Sequence, residues 1–326
     1  MRLNTRLTQR LGIEHPILLA PMNVFTGGKL AAAVSEAGGL GLIGGGYGDA
    51  AWLEREFAAA GGARVGCGFI TWSMARNPAL LEQVLAKRPA ALMLSFGDLE
   101  PHASRIKSQG VPLICQVQGM KYLREAVDAG ADIIVAEGCE AGGHSGHRGV
   151  FTLVPEAADY LARRSPDTVL VAAGGVGDGR GLAAALMLGA DGVLVGTRFV
   201  ACRESEATES FRQAIVRADG DATIKSRSVD VARKRYWPNP EFVIRVLKNA
   251  FVAKWHGREG EMEKIIDAEH ERFRNAFAAG DVENSGVLLG EVSGIIDDVP
   301  PAAQIVERMV AEACQLMSSR PGCVVR

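Results

Sequence analysis

Eight short apolar, β-prone runs, at residues 16–20, 39–43, 64–70, 90–95, 112–117, 132–137, 169–173 and 192–195, organise the first two-thirds of the chain. They start roughly 20 to 26 residues apart, with one longer gap before the seventh. Most intervals carry helical periodicity, as at 29–36, 52–59, 121–129 and 181–188. Runs this continuously apolar are buried on both faces, which parallel strands with helical crossovers provide. Eight such α/β units predict a closed (β/α)8 TIM barrel, with an open doubly wound sheet as the alternative. An Ala-Gly-Ala-Asp phrase at 129–132, echoed by Gly-Ala-Asp at 189–191, marks equivalent loops in which Gly130 and Gly189 close a helix before a strand begins.

From about residue 205 the strand rhythm stops, and charged, helical patterns follow at 211–218, 242–255 and 261–278. A smaller, mainly helical second domain is expected over 205–299, acting as a substrate lid. The barrel then occupies 1–204 and is completed by a helix at about 300–320, whose Ile305, Val306, Met309, Val310, Ala313, Leu316 and Met317 share one face.

The 326 residues exceed one average domain of ~150. With 48% hydrophobic and 23% charged residues, the signature of disorder is missing. A net charge of -2 provides no field for a polyanion or a membrane surface, so neither nucleic acid nor membrane is an expected partner. Cys67, Cys115, Cys139, Cys202, Cys314 and Cys323 form no CxxC pair, which suits a reducing cytoplasm. Residues 1–10 are polar and basic, and the apolar piece at 17–20 is too short for a signal-peptide core.

In a (β/α)8 barrel the active site lies at the C-terminal ends of the strands, so the residues following each run are the candidates. After the seventh run come Ala173, Gly174 and Gly175, continuing through Gly177, Asp178 and Gly179; after the eighth come Gly196, Thr197 and Arg198. Glycines allow backbone N–H groups to approach phosphate oxygens, and the last two loops of such barrels commonly hold phosphate. The long gap reads Glu-Gly-Cys-Glu-Ala-Gly-Gly-His-Ser-Gly-His-Arg-Gly over 137–149, and its glycines would bring His144 to the barrel mouth as a general acid or base. Two rival readings are a metal held by Glu140, His144 and His147, for which no further ligand motif exists, and a Cys139–His144 nucleophile pair. Arg227, Arg233, Lys234, Arg235, Tyr236 and Trp237 form a basic, aromatic patch for which a phosphate or nucleic-acid contact is one reading, with a solvated helix face or a domain junction as the default.

Together these residues make the chain resemble the nitronate monooxygenase (2-nitropropane dioxygenase) family and the closely related FMN-dependent enoyl-acyl-carrier-protein reductases. The carriers are His15-Pro16-Ile17, Ala37-Gly38-Gly39-Leu40, Glu140-Ala141-Gly142-Gly143-His144, Ala173-Gly174-Gly175 with Asp178-Gly179, and Gly196-Thr197-Arg198-Phe199, spread over nearly the whole chain. The resemblance implies FMN across the barrel mouth, with its phosphate on Gly174, Gly175, Gly196 and Thr197. It implies that Pro21, Met22, Asn23, Thr71, Gln116, Gly142, Gly143 and Ala173 complete the cofactor site, that His144 is the catalytic histidine, and that no metal takes part. Many monooxygenases of the family carry lysine where this chain has Gln116, asparagine where it has Gly68, and glycine where it has Pro21.

The implied function is oxidation of an alkyl nitronate with O2 to a carbonyl compound and nitrite. An NAD(P)H-dependent FMN reductase of enoyl thioesters or quinones is the alternative that Gln116 favours. A non-catalytic flavin-binding or phosphate-binding barrel is the alternative of another class, and a barrel isomerase or lyase is a further one. Substrate identity and a homodimeric assembly stay open.

Overall fold

In the computed structural model, residues 3–320 are described; Cys323 and the first two residues of the N-terminal stretch lie outside them. Eight parallel strands close into a barrel: β1 (Ile17–Leu19), β2 (Leu40–Gly46), β3 (Gly66–Ile70), β4 (Leu92–Ser95), β5 (Leu113–Val117), β6 (Ile133–Glu137), β8 (Val169–Ala173) and β9 (Gly192–Val195). Each falls on one of the eight apolar runs. Closure comes from β1 pairing with β9, Ile17 opposite Val193 and Leu19 opposite Val195, so the open-sheet alternative is excluded.

Alternation along each strand divides the core into two shells. Leu18, Leu42, Met93, Ile114, Val135 and Val171 fill the barrel interior. Their neighbours Ile17, Ile43, Cys67, Leu92 and Leu113 face the surrounding helices. The helix Arg6–Leu11 sends Leu7 and Leu11 into the interior cluster and so covers the end of the barrel away from the loops described below. At that same end the repeated aspartates act as strand closers. Asp132 accepts the Leu113 N–H at 2.8 Å and Asp191 accepts that of Leu170 at 3.0 Å. Gly130 and Gly189 adopt φ +74° and +98°, the left-handed turn expected of them.

Helices dominate 205–299, with Glu209–Arg217, Ala250–Trp255, Glu259–Glu263 and Ile266–Ala278 the longest. The helical pattern at 242–255 is corrected in its first half, where Val243–Leu247 forms a strand. Its β-branched Val-Ile-Arg-Val core suits an extended chain, and Asn249 then starts the helix by accepting the Val252 N–H. In chain order this strand is β11, and it is the centre of a small antiparallel sheet with β10 (Thr223–Lys225) and β7 (Gly143–Ser145). β7 belongs to the long glycine loop, so the later segment grips that loop through backbone pairing, with His144 opposite Ile244.

The helix Ala302–Ser319 buries Ile305, Val306, Met309, Val310 and Ala313 and packs on the helices Gly179–Met187 and Gly28–Glu36. Gly179 makes that approach possible, because an added Cβ would sit 2.6 Å from the Met309 carbonyl oxygen. Glu312 accepts its N–H at 2.8 Å. Among the described residues no helix is long and apolar enough to cross a membrane.

Candidate active site

The C-terminal ends of the strands open into a cavity of about 620 Å³, roofed by the segment after residue 205. Of the residues expected to meet a cofactor, Pro21, Met22, Asn23, Gln116, Gly142, Gly143, Ala173, Gly174, Gly175, Gly196 and Thr197 all line it, as does His144. Thr71 does not. It lies 1% exposed at the start of the short helix Thr71–Met74, with its hydroxyl buried and unpartnered.

The first strand turns sharply into the cavity through Asn23, at φ +41°. This turn explains the glycines of β2. A Cβ on Gly44 would stand 2.4 Å from the Asn23 carbonyl oxygen, and one on Gly46 would meet the Asn23 side chain. Gly68 has a similar reason. A Cβ there would lie 2.2 Å from Cγ of Pro21, so the two departures from the family pattern, Gly68 and Pro21, are a single exchange of volume across one contact.

Gly174 and Gly175 take φ +97° and +72°, which only glycine adopts without strain. Among the described residues no protein acceptor takes the N–H of Gly175, Val176 or Thr197. Together they offer an anion bare donors on one side of the cavity. The rest of the seventh-run loop does other work. Gly177 makes room for Val292 and Ile295, and Asp178 caps the helix Gly179–Met187. Arg198 is buried in an ion pair with Asp298 at 3.1 Å. Thr197 is held by the Gly290 N–H, and Gly142 lies so close to Leu289 and Gly290 that a Cβ would come 2.5 Å from the Leu289 carbonyl carbon.

His144 is 7% exposed in its side chain. Its Nε2 lies 2.7 Å from Oδ2 of Asp230, and its ring stacks on Trp237 with centroids 3.5 Å apart and planes 18° from parallel. Phe96 meets Trp237 edge-on at 5.0 Å, and Trp72 does so at 5.5 Å. Burial lowers the His144 pKa below the ordinary histidine value, against the opposing pull of Asp230 and with the help of Arg233 and Lys225. Burial therefore favours the neutral ring. Donation from Nε2–H to the Asp230 carboxylate assigns the tautomer and leaves Nδ1 as the basic nitrogen.

The rival readings of the long loop meet specific obstacles. Both carboxylate oxygens of Glu140 accept the Val150 N–H at the start of the helix Val150–Arg164, and His147 is exposed. Among the described residues no group of three His, Cys, Asp or Glu is placed to hold a metal ion. Burial raises the Cys139 pKa, which opposes thiolate formation.

Sequence reasoning did not place five contributors in the site: Asp230, Trp237, Arg233, Arg235 and Glu137. Asp230 and Trp237 lie 86 and 93 residues beyond His144, and nothing local ties them to it. The basic, aromatic patch is solvated at Arg227, Lys234 and Tyr236, while its Arg233, Arg235 and Trp237 line the cavity. Arg233 and Arg235 lie over Tyr47 at 5.5 and 4.6 Å. Glu137 was legible as the last residue of an apolar run, where an acid is out of place, yet it lines the cavity with Gln116.

Comparison with known proteins agrees with this geometry. The nitronate monooxygenase family model matches residues 4–63 and 73–312. A nitronate monooxygenase of Neurospora crassa is 32% identical over 345 residues, covering 92% of this chain and 89% of that protein. Among solved structures, FabK from Thermotoga maritima superimposes with a TM-score of 0.84 at 31% identity, covering 99% of this chain and 100% of FabK. The nitroalkane oxidase from Streptomyces ansochromogenes does so with a TM-score of 0.78 at 25% identity, covering 97% and 100%. A closed barrel of eight parallel strands with its site at their C-terminal ends is the frame of an oxidoreductase here, and the chain belongs to the nitronate monooxygenase family.

Proposed function

We propose that this chain is an FMN-dependent oxidoreductase that oxidises an alkyl nitronate with O2 to a carbonyl compound and nitrite. The observation that carries the reading is His144, fixed between Asp230 and Trp237, on the wall of a cavity whose other side presents free backbone N–H groups and glycines. The residues fit the cofactor. Gly174, Gly175, Gly196 and Thr197 would hold its phosphate, and Pro21, Met22, Asn23, Gln116, Gly142 and Gly143 would border its ring system and ribityl chain. When bound, FMN supplies the redox chemistry, accepting electrons from the substrate and passing them to oxygen.

His144 handles the proton. Its basic Nδ1 takes a proton from the carbon of a nitroalkane, or its protonated form steadies an anionic nitronate. Asp230 holds the ring in place and stabilises the cation that forms. Trp237, Phe96 and Trp72 exclude water from the ring, which strengthens these interactions. Segment 205–299 acts as the substrate lid, since it brings Trp237 and the Arg233–Arg235 pair to the cavity and Asp230 to His144. A cytoplasmic setting accords with the five cysteines among the described residues, all free and four of them buried.

A second reading, reduction of an enoyl thioester or quinone by NAD(P)H, is favoured by Gln116 in place of a lysine and by the likeness to FabK. One experiment separates the two. The visible spectrum of the flavin-loaded protein is recorded without oxygen, first with NADH or NADPH and then with ethyl nitronate. Bleaching by the nitronate alone supports the monooxygenase, and rapid bleaching by the nicotinamide supports the reductase and overturns the proposal.

A further inference from the structure

Glu137 ends β6 at the cavity, 7% exposed. Gln116 Nε2 donates to its Oε2 at 2.9 Å, and Gln118 Nε2 donates to the same oxygen at 3.0 Å. Neither amide reaches Oε1, and Glu137 lines the cavity. Around it, β5 presents amides, and β8 presents uncharged Ala173 at the paired register position. The charged group that acts on Glu137 is Lys225 of β10, whose ammonium is committed to the carbonyl oxygens of Ser145 and Gly146. An acid here has two dipoles and one distant cation for company. Burial pushes its pKa up to about 8.

We infer that Glu137 is an anion-binding group of this cavity: as a carboxylic acid it donates the hydrogen on Oε1 to an anionic ligand, and once ionised it repels the same ligand. Two donors on Oε2 fix which oxygen keeps the proton. A carboxylic acid held neutral by an apolar site is an effective hydrogen-bond donor. No bond to the proton is broken on binding; the hydrogen is shared between Oε1 and an oxygen of the anion. The Gln116–Glu137 pair thereby receives an anion without the cation that many family members carry at position 116. The inference rests on reading the cavity as a site for a nitronate, a planar oxyanion.

The test uses the flavin-loaded protein and two readouts other than turnover. The first is infrared difference spectroscopy of protein carrying 13C-labelled glutamate, titrated from about pH 6 to 9. A protonated-carboxyl band should fade with a midpoint near pH 8 and be missing in Glu137→Gln. In Gln118→Leu, which removes one donor to the carboxylate, the midpoint should move upward. The second is binding of nitrate, whose charge is constant over this range, followed by the flavin absorbance. Its Kd should rise by about tenfold per pH unit above that midpoint in the wild type and stay level in Glu137→Gln. Absence of the band at neutral pH, or an unchanged pH slope in Glu137→Gln, overturns the inference. If Glu137→Gln loses flavin, the wild-type band and the Gln118→Leu shift decide. Failure of the nitronate reading alone leaves both titrations as described and removes only turnover, so the two failures are distinguishable.

Discussion

The two sides of the cavity contribute different materials. The barrel side, from β8 and β9, offers backbone: Gly174, Gly175, Gly196 and N–H groups without protein acceptors. The side built by β7 and the segment after 205 offers side chains: His144, Trp237 and Arg233 on the wall, with Asp230 behind His144. Backbone donors suit a constant ligand such as a cofactor phosphate, because they require only glycine and the correct turn. Side chains held from a separate segment suit a substrate, because they can change without disturbing the barrel. Glu137 and Gln116 sit on barrel strands yet act as side chains, which places them at the seam between the two.

The sharpest way to break this comparison is His144→Asn. Turnover of ethyl nitronate should fall about 100- to 10,000-fold while the flavin content of the purified protein stays unchanged, since the side-chain half is then damaged and the backbone half is not. Loss of flavin in this variant would show that the two halves are not separable. The same residue sets the acid limb of the pH profile. Because burial lowers its pKa, kcat/KM should be level through neutrality and decline only below the usual histidine range. Asp230 pulls that pKa upward, so Asp230→Asn should move the limb to still lower pH while also slowing turnover.

A smaller effect is expected within the barrel half. Gly68→Asn should destabilise the protein by about 1–3 kcal/mol, as overpacking does, because the new side chain meets Pro21. Pro21→Gly in the same molecule should restore most of it, with a coupling energy of at least about 1 kcal/mol in a denaturant-melt cycle. Additive single and double variants would sink the idea of one shared volume. Thr71→Val should do least, shifting stability by less than about 1 kcal/mol and leaving flavin content as it is, because its buried hydroxyl has no partner to lose. A marked loss of flavin would return Thr71 to the cofactor site.

These differences track how the site could be read along the chain. Every barrel strand was legible, because a strand buried on both faces writes itself as an unbroken apolar run. The phosphate glycines were legible because they follow such runs directly. The strand Val243–Leu247 was not, since its five residues carry no periodicity of their own and it exists by pairing with β7 and β10. Asp178 and Gly179, read as part of the phosphate loop, cap a helix and seat the last helix instead, and glycine's small size looks the same in both duties.

Local order along the chain was thus enough for the barrel, for the direction in which its loops open, and for His144 and the glycines, since each depends on neighbours a few residues away. Packing alone decided that Asp230 and Trp237 would fix His144, that Gly68 and Pro21 would share one volume, and that Gln116 and Gln118 would both donate to Oε2 of Glu137. The physical reason is distance: burial, stacking and hydrogen bonding act over a few ångströms in space, and here they join His144 to residues 86 and 93 positions further along the chain.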